Sequence, residues 1–256
     1  MLKKLNKLIF IQLFFILFFA MFFVNSANAA YKKISKQQQQ DFINKINAAV
    51  VNQNKVIMKT RSILLEEYES WGVGKPLPEG EITWVDNLAQ EYDVDDEKNN
   101  ELTVQEWEIL LRRVDIIPPS LAVAQAINES AWGRSRFAKE ANNYYGQWCY
   151  SKGCGLEPLE RDKGSRYEVR KFSSFEASVI SYMKNLNTHY TYKDFRIERA
   201  KLRSEGKNIT GLGLLPYLQG YSQVGSKYNK YIQSIITSSD LQDLDLSQNS
   251  NPAIPA

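Results

Sequence analysis

Apolar residues recur at Phe42, Ile46, Ala49, Val50, Ile57, Leu64 and Tyr68 with polar residues between them, the spacing of one helical face. The pattern predicts a long amphipathic helix over residues 42–68. The glutamine run 37–40 ahead of it is too short to carry a role of its own. A breaker cluster from Gly72 to Gly80, with Pro76 and Pro78 inside it, ends the periodic stretch. Beyond it, residues 81–92 read as a short helix, followed by an acidic turn through Asp93, Asp95, Asp96 and Glu97. That turn lacks the glycine and terminal glutamate of an EF-hand loop, so solvated charge is the reading.

Thr103 and Glu106 form a capping box before Trp107, Leu110 and Leu111, which starts another helix near Thr103. Pro118-Pro119 stops that helix and opens the next, because proline suits a first helical turn and no later one. The new helix runs over residues 119–132, apolar on nearly every side, and Gly133 ends it. From Asn142 to Phe172 the helical period is lost. Aromatics, glycines and both cysteines appear, and residues 167–172 alternate like a strand, so a small irregular or β-containing lobe is expected. Ser173 and Glu176 then offer a second box for a helix through Leu186, with further helices near 194–204 and 227–236. The tail after Asp240 is polar, tipped with proline and expected to be disordered.

The first residues change the meaning of the charge. Lys3, Lys4 and Lys7 precede an apolar run from Leu8 to Val24 and then Ala27-Asn28-Ala29, the layout of a secretory signal with an A-x-A cleavage site. Cleavage after Ala29 is the reading, and an uncleaved membrane anchor is the competing one, since only Gln12 interrupts the run. The chain has 32 basic and 29 acidic residues, and only those three lysines precede Ala30, so the remainder is formally neutral. No basic block is left to pair with phosphates, which excludes nucleic acid as a partner. In an oxidising exported setting Cys149 and Cys154 read as a small-loop disulfide, with two ordinary thiols as the alternative.

A carboxyl inside an apolar helix is costly to ionise, and desolvation moves its pKa towards the value that a general acid needs. Glu129 is such a residue, with Gln125 one turn before it and Asn128 and Trp132 beside it on a polar seam. The alternative is a buried glutamate satisfied by an arginine or by backbone donors. His189 has no partner at metal-ligand spacing and reads as structural, on the helix after Ser173. No nucleophile elbow, phosphate loop or H-E-x-x-H motif is present, so serine hydrolase, nucleotide and zinc chemistry lack support.

The stretch from Pro118 to Ala138, with its Gln125-Ala-x-x-Glu129-Ser-x-Trp132-Gly133 core, followed by Asn142-Asn143-Tyr144-Tyr145-Gly146-Gln147-Trp148, resembles the glucosaminidase domain of glycoside hydrolase family 73, in particular that of the Bax-type exported bacterial proteins. The likeness extends through residues 169–174, 185–189 and 220–222. It implies a mainly α, lysozyme-like glucosaminidase domain over residues 105–238 with a small irregular or β lobe. A signal peptide at 1–29 and an N-terminal helical region at 30–104 outside the hydrolase core precede it, and a disordered tail at 239–256 follows.

The implied activity is hydrolysis of β-1,4 bonds after N-acetylglucosamine in peptidoglycan, with no cofactor and no metal. Glu129 takes the place of the family's proton donor. Tyr221 matches a tyrosine that lines the cleft and assists catalysis, its alternative being a half-buried core tyrosine. For the second catalytic group, a nucleophile at roughly 5 Å, a base at roughly 6.5–9.5 Å and the substrate's own amide oxygen all remain open. Glu157, Glu160 and Glu168 are the candidates, and Glu168 ranks first because it precedes the matching Val169-Arg170 pair. Gln125, Trp132, Tyr145 and Trp148 are the expected substrate-binding residues, and the cluster of Tyr144, Tyr145, Trp148 and Tyr150 would equally serve as a lobe core. Muramidase or lytic transglycosylase chemistry, and a non-catalytic glycan-binding envelope role, are the competing functions. Peptidoglycan strands are the expected partner, and a membrane only if the first segment stays uncut.

Overall fold

The computed structural model describes residues 34–94, 102–159, 161, 164, 166–218, 220–221 and 226–249. The export segment, Asp95, Asp96, Glu97, Glu160, Ser222 and the last seven residues fall outside them. Among the described residues no helix is long and apolar enough to cross a membrane.

Helix α1 (Lys36–Gly72) is longer than its apolar stripe foretells. Ser35 and Gln38 close a capping box at its start, the Ser35 hydroxyl accepting from the Gln38 N–H and the Gln38 side chain accepting from the Ser35 N–H. At about 1.5 Å per residue it reaches about 55 Å. Its buried face runs Phe42, Ile43, Ile46, Val50, Asn54, Ile57, Arg61, Leu64. Two polar side chains thus fill gaps in the stripe. Asn54 is fully buried and makes a two-way clasp, donating to the Ile117 carbonyl at 2.9 Å and accepting from the Ile117 N–H at 3.1 Å. Arg61 donates to the carbonyls of Leu111 and Val114.

Helices α2 (Glu79–Glu91) and α3 (Val104–Arg113) follow, α3 opened by the Thr103–Glu106 box as expected. Helix α4 (Pro119–Ser130) carries proline at its first position and is buried from Pro119 through Ile127. It stops two residues earlier than expected. Ala131, Trp132 and Gly133 are all left-handed, at φ 51°, 60° and 71°. Two side-chain-bearing residues hold this conformation only because packing over-determines it. The Ser130 hydroxyl accepts from the Gly133 N–H, and a Cβ on Gly133 would come 3.1 Å from the Phe42 ring.

Helix α5 (Arg136–Ala141) leads into a three-stranded antiparallel sheet, β1 (Trp148–Cys149), β2 (Gly155–Leu156) and β3 (Glu168–Arg170), ordered β1-β3-β2. Trp148 lies opposite Val169, and Cys149 opposite Glu168. The cysteines are joined as a disulfide. Helix α6 (Phe175–Thr188) starts one residue later than its expected box: the Ser174 hydroxyl, not that of Ser173, accepts from the Ala177 N–H. His189 lies beyond α6, not on it, and its Nδ1 accepts from the Thr191 N–H to open a 3-10 turn at Tyr190–Tyr192. Then come α7 (Lys193–Ser204), α8 (Gly211–Leu214), α9 (Ser226–Ser238) and α10 (Asp243–Asn249).

Helix α10 corrects the expectation of a disordered tail from residue 239. Asp245 is buried, and its carboxylate accepts from the Ser120 N–H and hydroxyl and from the Gly211 N–H, tying α10 to the starts of α4 and α8. The packing of α1 adds to the domain picture. Its apolar face is not left free but shares one hydrophobic cluster with Leu121, Ala124 and Ile127 of α4. The sequence showed an amphipathic stripe, but a stripe does not say which surface covers it.

Candidate active site

Only the last turn of α4 opens outward: Asn128 and Glu129 are partly exposed, whereas positions 119–127 are buried. Glu129 Oε1 accepts from Asn128 Nδ2 at 2.9 Å and from the Tyr228 hydroxyl at 3.2 Å. Oε2 has no hydrogen-bond partner among the described residues. It faces Gly146, where a Cβ would sit 3.7 Å from it and where φ is +67°, a conformation suited to glycine. Burial raises the Glu129 pKa, and the bonds from Asn128 and Tyr228 pull it partly back. No described lysine or arginine pairs with it. A protonated Glu129 therefore carries its proton on Oε2, since Oε1 already accepts twice.

Behind Oε1 runs a directed chain. Tyr182 donates its hydroxyl to Gln125 Oε1 at 2.5 Å, and Gln125 Nε2 donates to the Tyr228 oxygen at 2.9 Å. The Tyr228 proton is thereby committed to Glu129. The phenols of Tyr182 and Tyr228 are pushed well above their usual range, by burial first, so they stay neutral donors. Tyr228 and Tyr182 were not singled out in the sequence. Tyr228 lies on α9, 99 residues from Glu129, and only the fold brings it there.

Gln125 and Tyr145, expected to meet substrate, are sealed in the interior instead. Gln125 is fully buried and its amide is spent on the two tyrosines. Tyr145 is buried, its ring stacked on Tyr182 at 3.9 Å. Tyr221 is half-buried, stacks on Tyr228 at 5.5 Å and turns its hydroxyl towards the Tyr145 carbonyl at 3.5 Å. Trp132 lies in the left-handed turn, its ring set edge-on to Phe42 at 5.8 Å. Trp148, on β1, keeps one part exposed and packs edge-on to Tyr167 at 4.8 Å. Tyr144 is buried and its hydroxyl accepts from Lys45 of α1 at 3.1 Å, whereas Tyr150 is exposed.

The lobe carboxylates face other work. Glu168 is buried and its two oxygens accept from the Gly153 and Gly155 N–H groups at 2.9 and 2.7 Å, which hold its pKa down. It clamps the disulfide loop. With the two sulfurs it makes a tight group of metal-capable donors, but the sulfurs are bonded to each other and the carboxylate is taken. Glu157 is exposed and pairs with Arg161 at 3.0 Å. Two hollows of about 240 and 250 Å³ lie apart from Glu129, the first lined by Trp71, Leu77 and Trp107, the second by Arg112, Arg196 and Tyr190.

A mainly helical body with a small antiparallel sheet, holding a half-buried glutamate with uncharged partners at the open end of its central helix, is the layout of a glycoside hydrolase that works by a carboxylic acid. The chain belongs to the glucosaminidase family, described as mannosyl-glycoprotein endo-beta-N-acetylglucosaminidase, which matches residues 104–241. It is 33% identical over 196 residues to Protein bax of Escherichia coli strain K12, covering 76% of this chain and 67% of that one. It is 38% identical over 78 residues to the exo-glucosaminidase LytG of Bacillus subtilis strain 168, covering 28% and 27%. Among solved structures, the catalytic domain of the autolysin Auto from Listeria monocytogenes matches 84% of this chain and 92% of its own, at 21% identity and a TM-score of 0.39.

Proposed function

We propose that this protein is an exported peptidoglycan hydrolase that cuts the β-1,4 glycosidic bond after N-acetylglucosamine, inside the strand, with Glu129 as proton donor. The observation that carries the reading is the unengaged Oε2 of half-buried Glu129, facing Gly146 with no cation among the described residues to hold it ionised. A neutral carboxyl there delivers its proton to the leaving glycosidic oxygen. Tyr228 donates to the carboxylate left behind and limits the rise in its pKa. Family membership and the likeness to an exo-glucosaminidase of Bacillus subtilis support a glycan substrate.

For the second group we favour the substrate's own N-acetyl oxygen, which can support the oxocarbenium-like centre without a second carboxylate. Glu168 was the first-ranked carboxylate, but both its oxygens are occupied by loop amides, and Glu157 is paired with Arg161. Tyr221, half-buried against Tyr228, is the cleft-lining tyrosine of this reading, and Trp148 and Trp132 offer rings to sugars.

The test is digestion of purified sacculi followed by mass spectrometry. Internal fragments with reducing N-acetylglucosamine ends are expected. Reducing or anhydro-muramic ends would instead make it a muramidase or transglycosylase, and release of terminal sugars alone would make it exo-acting. Clearing by wild type but not by Glu129→Gln on a peptidoglycan gel is expected. Clearing by both would remove Glu129 from its role, and clearing by neither would favour a glycan-binding protein.

A further inference from the structure

The second hollow, about 250 Å³, lies where α3 meets α7 and the 3-10 turn. Arg112, Arg113, Lys193 and Arg196 line it, with Tyr190 and Ile197 beside them and no carboxylate among the described lining residues. Tyr190 is 81% exposed and Ile197 42%. A flat ring and an aliphatic face thus stand open beside four cations.

These cations are poorly neutralised by the described residues. Glu108 meets Arg112 only at 3.8 Å on the exposed side, and Asp93 acts on Arg113. Arg196 is fixed by the carbonyls of Leu186 and His189, and Arg113 by those of Tyr92 and Asp93, so both are held in place as fixed charge. Burial, then crowding by Arg113 and Arg112, lowers the Arg196 pKa to about 10. Lys193 is exposed, and Arg112, half-buried, is held only by the long contact to Glu108, so both can turn to a ligand.

The hollow also has a physical link to Glu129. Rings step from Tyr190 to His189 at 4.5 Å, to Tyr192 at 5.8 Å, to Tyr221 at 6.1 Å and to Tyr228 at 5.5 Å, and Tyr228 bonds Glu129. The two segments touch: a Cβ on Gly220 would come 2.5 Å from the Thr191 methyl. The cationic hollow and the candidate active site therefore border the same aromatic cluster, in which Tyr192 and Tyr228 are buried.

We propose that this hollow is an accessory anion site that takes a carboxylate from the peptide branch of a wall glycan strand while another part of the strand lies at Glu129. This rests on the hydrolase reading for its substrate. Fixed Arg113 and Arg196 supply the field, Arg112 and Lys193 make the direct contacts, and Tyr190 covers the apolar part of the branch. The site thereby favours peptide-bearing strands over neutral polymers of the same sugars.

The test separates binding from turnover. Fluorescently tagged soluble strands, native or with their carboxylates amidated, are titrated by anisotropy into the full chain and into Arg112→Gln/Lys193→Gln. Native strands should bind wild type roughly fivefold to tenfold more tightly than amidated ones, the sum of two exposed ion pairs, with the gap closing at high salt. The double variant should lose that preference and raise KM on native strands by the same factor, with kcat unchanged. Wild type indifferent to amidation, or a double variant that keeps the preference, overturns the proposal. Binding of phosphatidylglycerol vesicles lost in the double variant, with strands bound equally by both proteins, would reassign the hollow to phosphate and overturn it too. Charge-dependent binding without turnover would sink only the hydrolase reading.

Discussion

Asp115 and Glu129 bracket helix α4, one ahead of its start and fully buried, the other in its last turn and half-buried. Asp115 is ringed by arginines: Arg203 donates from Nε at 2.8 Å and from a second nitrogen at 2.5 Å, Arg199 lies at 3.9 Å, and Arg61 adds its charge from α1. Burial opposes its ionisation, yet the three cations together hold its pKa far below the usual carboxylate range. Among the described residues Glu129 has only neutral partners, and burial wins, so its pKa rises. Burial by itself therefore does not make an acid catalyst. The charge of the neighbours decides, and the fold spends its arginines on the end of α4 that carries no open surface.

The sharpest break of this contrast is Glu129→Gln. Loss of a general acid should lower kcat by roughly 100- to 10,000-fold in a strand-cleavage assay. Its stability should move the other way. A carboxyl with a raised folded pKa stabilises the fold below its unfolded pKa, and that contribution is lost as pH rises through the folded value. The glutamine variant should therefore melt higher than wild type at neutral pH, with the gap closing in acid. A lower Tm at neutral pH would mean that the carboxylate is held ionised.

Asp115→Asn should do the reverse. It leaves buried arginines uncompensated and should cost about 3–5 kcal/mol in urea unfolding. Because its folded pKa is depressed, the stability it confers is present above the unfolded carboxylate pKa and falls as pH drops through the folded value. Equal loss at every pH would argue that packing, and not charge, is what the substitution removes.

Asn54→Ala tests whether α1 truly sets the start of α4. It strands the N–H and carbonyl of Ile117 in the core and should cost about 1–3 kcal/mol, read by urea unfolding. The smallest effect is expected for Tyr228→Phe. It removes a bond that lowers the Glu129 pKa, so the basic limb of the pH–rate profile, which falls as Glu129 deprotonates, should move to higher pH. A limb that stays in place would leave Tyr228 a packing residue only.

Much of this was legible in advance because it is local. The Thr103 box, the proline start of α4, the cysteine pairing across a short loop and the position of Glu129 each depend on residues a few places apart. The box at Ser173 was misplaced by one residue, since Ser174 makes the local cap, whereas at the early stop of α4 and the structured segment from Asp243 tertiary contacts overruled propensity: Phe42 and Tyr144 pack against Gly133, and Asp245 finds the amides of Ser120 and Gly211. Gln125 was recognised as special and assigned the wrong job, since a sequence shows a polar residue one turn from the acid but not which side of the helix is sealed.

What the sequence by itself determined is where the elements begin, which faces are apolar and which carboxyl is set among apolar neighbours, because helical period and capping act over three or four residues. Only the tertiary structure decided that arginines from α1 and α7 gather on Asp115, that Tyr228 and Tyr182 reach Glu129 through Gln125, and that four cations share one hollow. Those arrangements set the charge of each neighbourhood, and electrostatic fields depend on distance through space, which the order of residues along a chain does not record.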